Sequence, residues 1–207
     1  MKYANALCSG CFSGIAALLT LGCGTSAPPD EITVRRINII DESGKVRLVI
    51  SGDLPGPTVR GKRLKRDIAP AGILWNDEDA NESGGLTATS VSGWRGTAED
   101  GRVRMLTFDF AHQITDAVRI GTFETDDGKV WHGGLTVFDR RPIDAGPVTS
   151  SQGVERISLG TENGDASLVI RDANEKERIR VGVDREGASF IELLDTDGSV
   201  RDRLPHK

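Results

Sequence analysis

Past residue 23 this chain has no cysteine, and past residue 3 it has no tyrosine. The first absence removes thiol nucleophiles, disulfides and thiolate metal sites from nearly the whole length. The second, with aromatics at 5% of the chain, leaves Trp75, Trp94 and Trp131 as a thin supply for a carbohydrate platform, and packing at core edges is their ordinary use. No GxSxG elbow and no HExxH pair occurs, so neither of these sequence signatures of serine or zinc hydrolysis is present. Extended helical periodicity is missing, and no apolar run approaches the roughly 20 residues of a membrane-spanning helix. The net charge of −5 gives no electrostatic reason to expect a nucleic-acid partner.

The cysteines that do exist, Cys8, Cys11 and Cys23, all lie in an N-terminal leader. Lys2 precedes an uncharged stretch that lasts to Asp30, with a short apolar centre from Phe12 to Leu21. That layout is a signal-peptide core rather than a span. Leu19-Thr20-Leu21-Gly22-Cys23 resembles a bacterial lipobox, in which the cysteine is acylated on its thiol and becomes the new N-terminus. Cleavage there discards Cys8-Ser9-Gly10-Cys11, which otherwise resembles a redox pair, and acylation consumes the last thiol. Thr25-Ser26-Ala27 would serve an ordinary signal peptidase, but Pro28 follows it and makes a poor scissile bond. The expected organisation is a lipoprotein signal over 1–22, a lipidated Cys23 with a tether over 23–31, and a β-rich domain over 32–205. Residues 154–205 form a candidate C-terminal hairpin lobe. Gly24 after the cysteine resembles the outer-membrane sorting signal of bacteria with two membranes. The implied location is the cell envelope, held to a membrane by lipid.

About 175 residues remain beyond the tether, enough for one domain with its own core. Glycine is abundant at 25 residues, and a short pattern recurs: DESGKVR at 41–47, EDGRVR at 99–104 and DTDGSVR at 195–201. DDGKVW at 126–131 keeps the glycine, and DANEKER at 172–178 puts Glu175 in its place. Asp and Asn bond their own downstream backbone, and Gly takes the positive φ of tight hairpins. Alternating apolar segments flank these turns, which predicts an all-β fold of antiparallel hairpins arranged as a sandwich, a barrel or a repeated flat meander. The repeated arginine is read as a solvent-face residue whose stem covers apolar neighbours, with a ligand-binding row as the alternative. Residues 52–70, with three prolines, predict a surface loop, and residues 139–153 a connector.

Six segments, in this order, carry a resemblance: RINIIDESGKVRLVIS, AGILWNDEDANESGGLT, LTFDF, GGLTVFDR, RIRVGVDREG and FIELLDTDGSVRDRLP. They resemble a family of uncharacterised, often exported bacterial proteins that share a Gly-Ile-hydrophobic-Asn-Asp-Glu stretch leading to Glu-x-Gly-Gly-Leu. Here that stretch runs from Gly72 to Leu86, with Asp79 where the family pattern has Gly. The resemblance spans about residues 32–205 and implies one integral fold without implying a substrate.

Three clusters have chemical potential. In NDEDANESGG, Asp77, Asp79 and Asn81 stand at alternate positions like the opening of a calcium loop, with Glu82 next to them. The sixth position lacks Gly and the twelfth is Ala88, so an EF-hand is excluded; a non-EF calcium site and a solvated acidic turn remain. In RGKRLKR, Arg60, Lys62, Arg63, Lys65 and Arg66 form a basic run suited to phosphates of lipid headgroups or surface polysaccharide, or to solvent alone. Asp109, His112 and Asp116 form an acid–base or metal cluster if folding joins them. The function expected is a non-enzymatic binding or structural module with an envelope protein or glycan as partner. The alternative is an exported carboxylate-dependent hydrolase, with or without calcium; facing carboxylates in a cleft, or His112 beside Asp116 in a pocket, would favour it.

Overall fold

The computed structural model describes residues 31–92, 100–110, 115–140 and 153–205. Arg35–Lys207 form one compact unit. Its strands are β1 (Arg36–Ile40), β2 (Val46–Ser51), β3 (Thr58–Val59), β4 (Lys62–Arg63), β5 (Ala71–Asn76), β6 (Glu82–Ser92) and β7 (Asp100–Asp109). They continue with β8 (Asp116–Thr125), β9 (Trp131–Asp139), β10 (Val154–Glu162), β11 (Asp165–Arg171), β12 (Glu177–Val183), β13 (Ser189–Leu194) and β14 (Val200–Leu204). Twelve strands form one antiparallel sheet in which β1, β2 and β5 to β14 are ordered as in the chain; β3 and β4 pair separately. The sheet ends at β1 and β14 without closing on itself, which selects the meander over the sandwich and the barrel. Residues 154–205 extend this sheet by pairing β10 with β9.

One hairpin design recurs along it. Asp41, Asp77, Asp172 and Asp184 each open a five-residue turn, and each Oδ1 accepts from the backbone N–H groups two and four residues on. The first residue's N–H also donates to the fifth residue's carbonyl, as it does at Asp195. The fourth position is left-handed in all five: Gly44, Gly187 and Gly198, but also Ala80 and Glu175, both at φ +63°. This is the aspartate-plus-glycine turn chemistry expected from the sequence at 41–47 and 195–201; EDGRVR at 99–104 is not such a turn, because Asp100 to Arg104 belong to β7 and Gly101 pairs with both Val91 and Thr125. NDEDANESGG belongs to the same series, although its glycine is replaced. The repeated arginine returns to its own turn twice: Arg178 bonds Asp172, and Arg47 pairs with Asp41.

Side chains alternate between faces along each strand, and the register places one aliphatic residue from every strand in a single row. Ile37 pairs with Ile50, then Ile73, Leu86, Leu106 and Ile120. The row runs on through Leu135, Leu159, Leu168, Val181 and Ile191 to Leu204. This face is open: Leu86, Ile120 and Leu159 are 48%, 43% and 54% exposed. The buried residues alternate onto the other face, among them Val49, Leu74, Val103, Phe123 and Phe138.

Residues 52–70 depart from the expected surface loop. Leu54 and Val59 are 2% and 5% exposed, and Leu54 packs with Val49 and Leu74 as a small core. The segment therefore covers part of the buried face, because two apolar side chains among its prolines gain more from contact with the sheet than from water.

Candidate functional site

The covering segment and the sheet enclose a cleft of about 500 Å³ between Pro57, Leu64 and Arg66 on one side and β5 to β8 on the other. Leu74, Met105 and Thr107 contribute to its floor. Four carboxylates and three cations line it: Glu82 on β6, Asp109 on β7, Asp116 and Arg119 on β8, and Lys65, Arg66 and Asp67 from the cover, Lys65 and Asp67 being exposed.

Backbone geometry brings them together. Asn76 pairs with Glu82 where β5 and β6 turn, after a register shift, and Asp109 pairs with Asp116 where β7 and β8 turn, after another. Such bulges re-aim a side chain at the end of a ladder. Between them, Gly84 adopts φ +147°, and a Cβ there would meet the Thr107 carbonyl oxygen at 2.2 Å and the Trp75 ring at 2.8 Å. On the open face Trp75 and Phe108 therefore approach across Gly84, with ring centroids 5.7 Å apart. The Gly-Gly-Leu stretch is thus a packing device that lets β5, β6 and β7 close up beside the cleft.

The five inner charges are bonded to one another. Arg66 Nη2 donates to both oxygens of Glu82 at 2.8 Å. Arg119 Nε donates to Asp116 Oδ2 at 2.6 Å, and its guanidinium lies 5.1 Å from the Phe138 ring centroid. Asp109 hydrogen-bonds Asp116. Burial first, then the adjacent Asp116 and Glu82 charges, push the Asp109 carboxyl up to about 8. Burial also raises Glu82, against the opposing effect of Arg66. Asp109 is consequently a carboxylic acid at neutral pH, donating to a neighbouring carboxylate.

The structure redistributes the residues singled out from sequence. Glu82 comes from the candidate calcium set and Arg66 from the basic run, and they are partners. Asp77 and Asn81 are joined, since Asn81 Nδ2 donates to Asp77 Oδ2 at 3.2 Å, while Asn81 Oδ1 accepts from the Gly61 N–H. Asp79 points to Lys45, 3.5 Å away. Among the described residues no group of three or more His, Cys, Asp or Glu is placed to hold a metal ion. Arg60, Lys62, Arg63 and Lys65 remain exposed around β3 and β4. Asp109 and Asp116 meet as the sequence allowed; His112, Trp94, His206 and Cys23 lie outside the described residues. The role of Arg119 was not foreseen, and its only local sign is the three-residue spacing from Asp116.

No helix among the described residues is long and apolar enough to cross a membrane. No family model matches this chain, and neither the search of curated proteins nor that of solved structures gives a match.

Proposed function

We propose that this is a lipid-anchored cell-envelope protein, tethered through Cys23, whose β domain is a non-enzymatic binding module with the cleft as its ligand site. In a bacterium with two membranes the outer membrane is its location. The anchor is tested by fractionation: Cys23→Ala moves the protein out of the membrane fraction, and a variant that stays membrane-bound refutes acylation at that residue.

The observation that carries the binding reading is the charge pairing in the cleft. Asp67, Glu82, Asp109 and Asp116 outnumber Lys65, Arg66 and Arg119 by one, and a proton on Asp109 makes up the difference. A ligand amine entering the cleft supplies that positive charge instead and releases the proton. Thr107 on the floor and the carboxylate oxygens suit hydroxyl groups, so the ligand class is a small hydroxylated amine, such as a deacetylated amino-sugar unit of an envelope glycan.

The experiment is calorimetric titration with glucosamine oligomers and with their N-acetylated counterparts. Binding of the free-amine oligomers alone, tightening as pH rises only while the amine stays protonated and lost in Asp116→Asn, supports the proposal. Equal binding of both forms, or none, rejects it.

One observation favours the alternative of a hydrolase. Asp109 holds a proton beside an acceptor carboxylate, as a general acid and its partner do. Against it, glycoside hydrolysis uses carboxyl groups about 5–9.5 Å apart with the scissile bond between them, whereas Asp109 and Asp116 bond directly. Release of reducing ends from the oligomers would establish this alternative.

A further inference from the structure

The row of aliphatic side chains that crosses all twelve strands of the sheet is the longest apolar feature among the described residues, and it lies on the open face. A second row runs beside it, two residues along each strand: Ile39, Leu48 and Trp75 lead to Phe108 and onward. Water on such a surface is costly, at about 25 cal/mol per Å² of apolar area.

We propose that this face is the interface of a homodimer, in which two copies stack their aliphatic rows against each other as the two layers of a β-sandwich.

Area, composition and charge support a second copy as the occupant. Eleven strand spacings of about 4.8 Å make the stripe about 53 Å long, and two rows of side chains make it about 13 Å wide. The footprint is about 700 Å² per copy, or about 1,400 Å² in total, within the range of about 1,200–2,000 Å² for stable interfaces. A surface of Ile, Leu and Val repeated at one register is complementary to itself, and sheets stack about 10 Å apart with such side chains interdigitated. On the same face, two rows away from Leu106 and Ile120, Arg102 stands beside Glu124 on adjacent strands, so that margin of the face carries both signs.

A lipid bilayer fits less well. Membrane-surface binding combines apolar side chains with cations on the same side. Here the basic run around β3 and β4 belongs to the segment that covers the opposite face, through Leu54 on Val49 and Leu74.

The test is sedimentation equilibrium of Arg35–Lys207, the compact unit that holds every strand. The expected mass is that of a dimer at micromolar concentration. Leu86→Lys with Leu159→Lys should be monomeric, while Leu86→Thr with Leu159→Thr, which keeps strand propensity, should dimerise at least about tenfold more weakly. Circular dichroism of each variant confirms the fold. A monomeric parent overturns the proposal, as does a folded lysine variant that still dimerises. A monomer that floats with neutral phosphatidylcholine vesicles also overturns it, naming the bilayer as the occupant.

Discussion

Asp109 gives this protein an unusual pH response. Its folded-state pKa stands near 8, against 3.8 for an unperturbed aspartate, so between those values the folded chain binds more protons than the unfolded chain. Stability is then greatest at the low end of that window and is lost as pH rises through 8. Glu82, also raised, acts in the same direction. The turn aspartates Asp41, Asp165, Asp172 and Asp197 are lowered by their hydrogen bonds, and they matter only below about pH 4. The expected result is a melting temperature that falls between pH 5 and pH 8, and a visibly flatter profile in Asp109→Asn. An unchanged slope in that variant would show that Asp109 is not the proton donor. Glu175 offers a second residue-scale test. At φ +63° it occupies a place where other turns of the series have glycine, at a cost of about 1–2 kcal/mol for an L side chain. Glu175→Gly should raise the melting temperature by about 2–4 °C; a lower value would mean that the Glu175 side chain contributes more than its backbone costs.

At the scale of elements, the hairpin is the unit that the sequence specifies, and the acidic turn is built as one of the series. Asp77 caps its own turn as Asp41, Asp172 and Asp184 cap theirs, and Asn81 is tied both to Asp77 and to Gly61. These bonds shape the loop without a cation, as they do in the other turns of the series. Thermal melts with EDTA and with millimolar calcium should coincide. A metal at 100 times its dissociation constant would add about 2.7 kcal/mol, and a shift of that kind, lost in Asp79→Ala, would restore the turn as a metal site. These turns were legible because their information is local: an aspartate, four residues and a positive φ. The role of residues 52–70 was not, because proline and basic residues dominate their composition while Leu54 and Val59 determine where they pack. The cleft was only half legible for the same reason. Asp109 and Asp116 are seven residues apart and share one hairpin, whereas Arg66 and Glu82 meet only because the cover folds back over β5 and β6.

For the whole molecule, β order follows chain order, so every hairpin contributes a local pairing and the sheet needs no crossover. Its two edges differ. β14 carries Arg201, Asp202 and Arg203, charges that discourage pairing with another chain. β1 carries Ile37, Ile39 and Ile40, exposed at 41%, 50% and 59%, so the apolar surface continues to that edge. What the sequence by itself determined is the all-β class, the places of the turns and the alternation of each strand, because backbone propensity, turn chemistry and side-chain period act over a few residues. What only the tertiary structure decided is the relation between strands. Register placed twelve aliphatic residues in one row, left that row open to solvent, and brought carboxylates and arginines from four separate segments into one cleft. Those outcomes depend on which residues stand opposite one another across the ladder, and no local stretch of the chain encodes that alone.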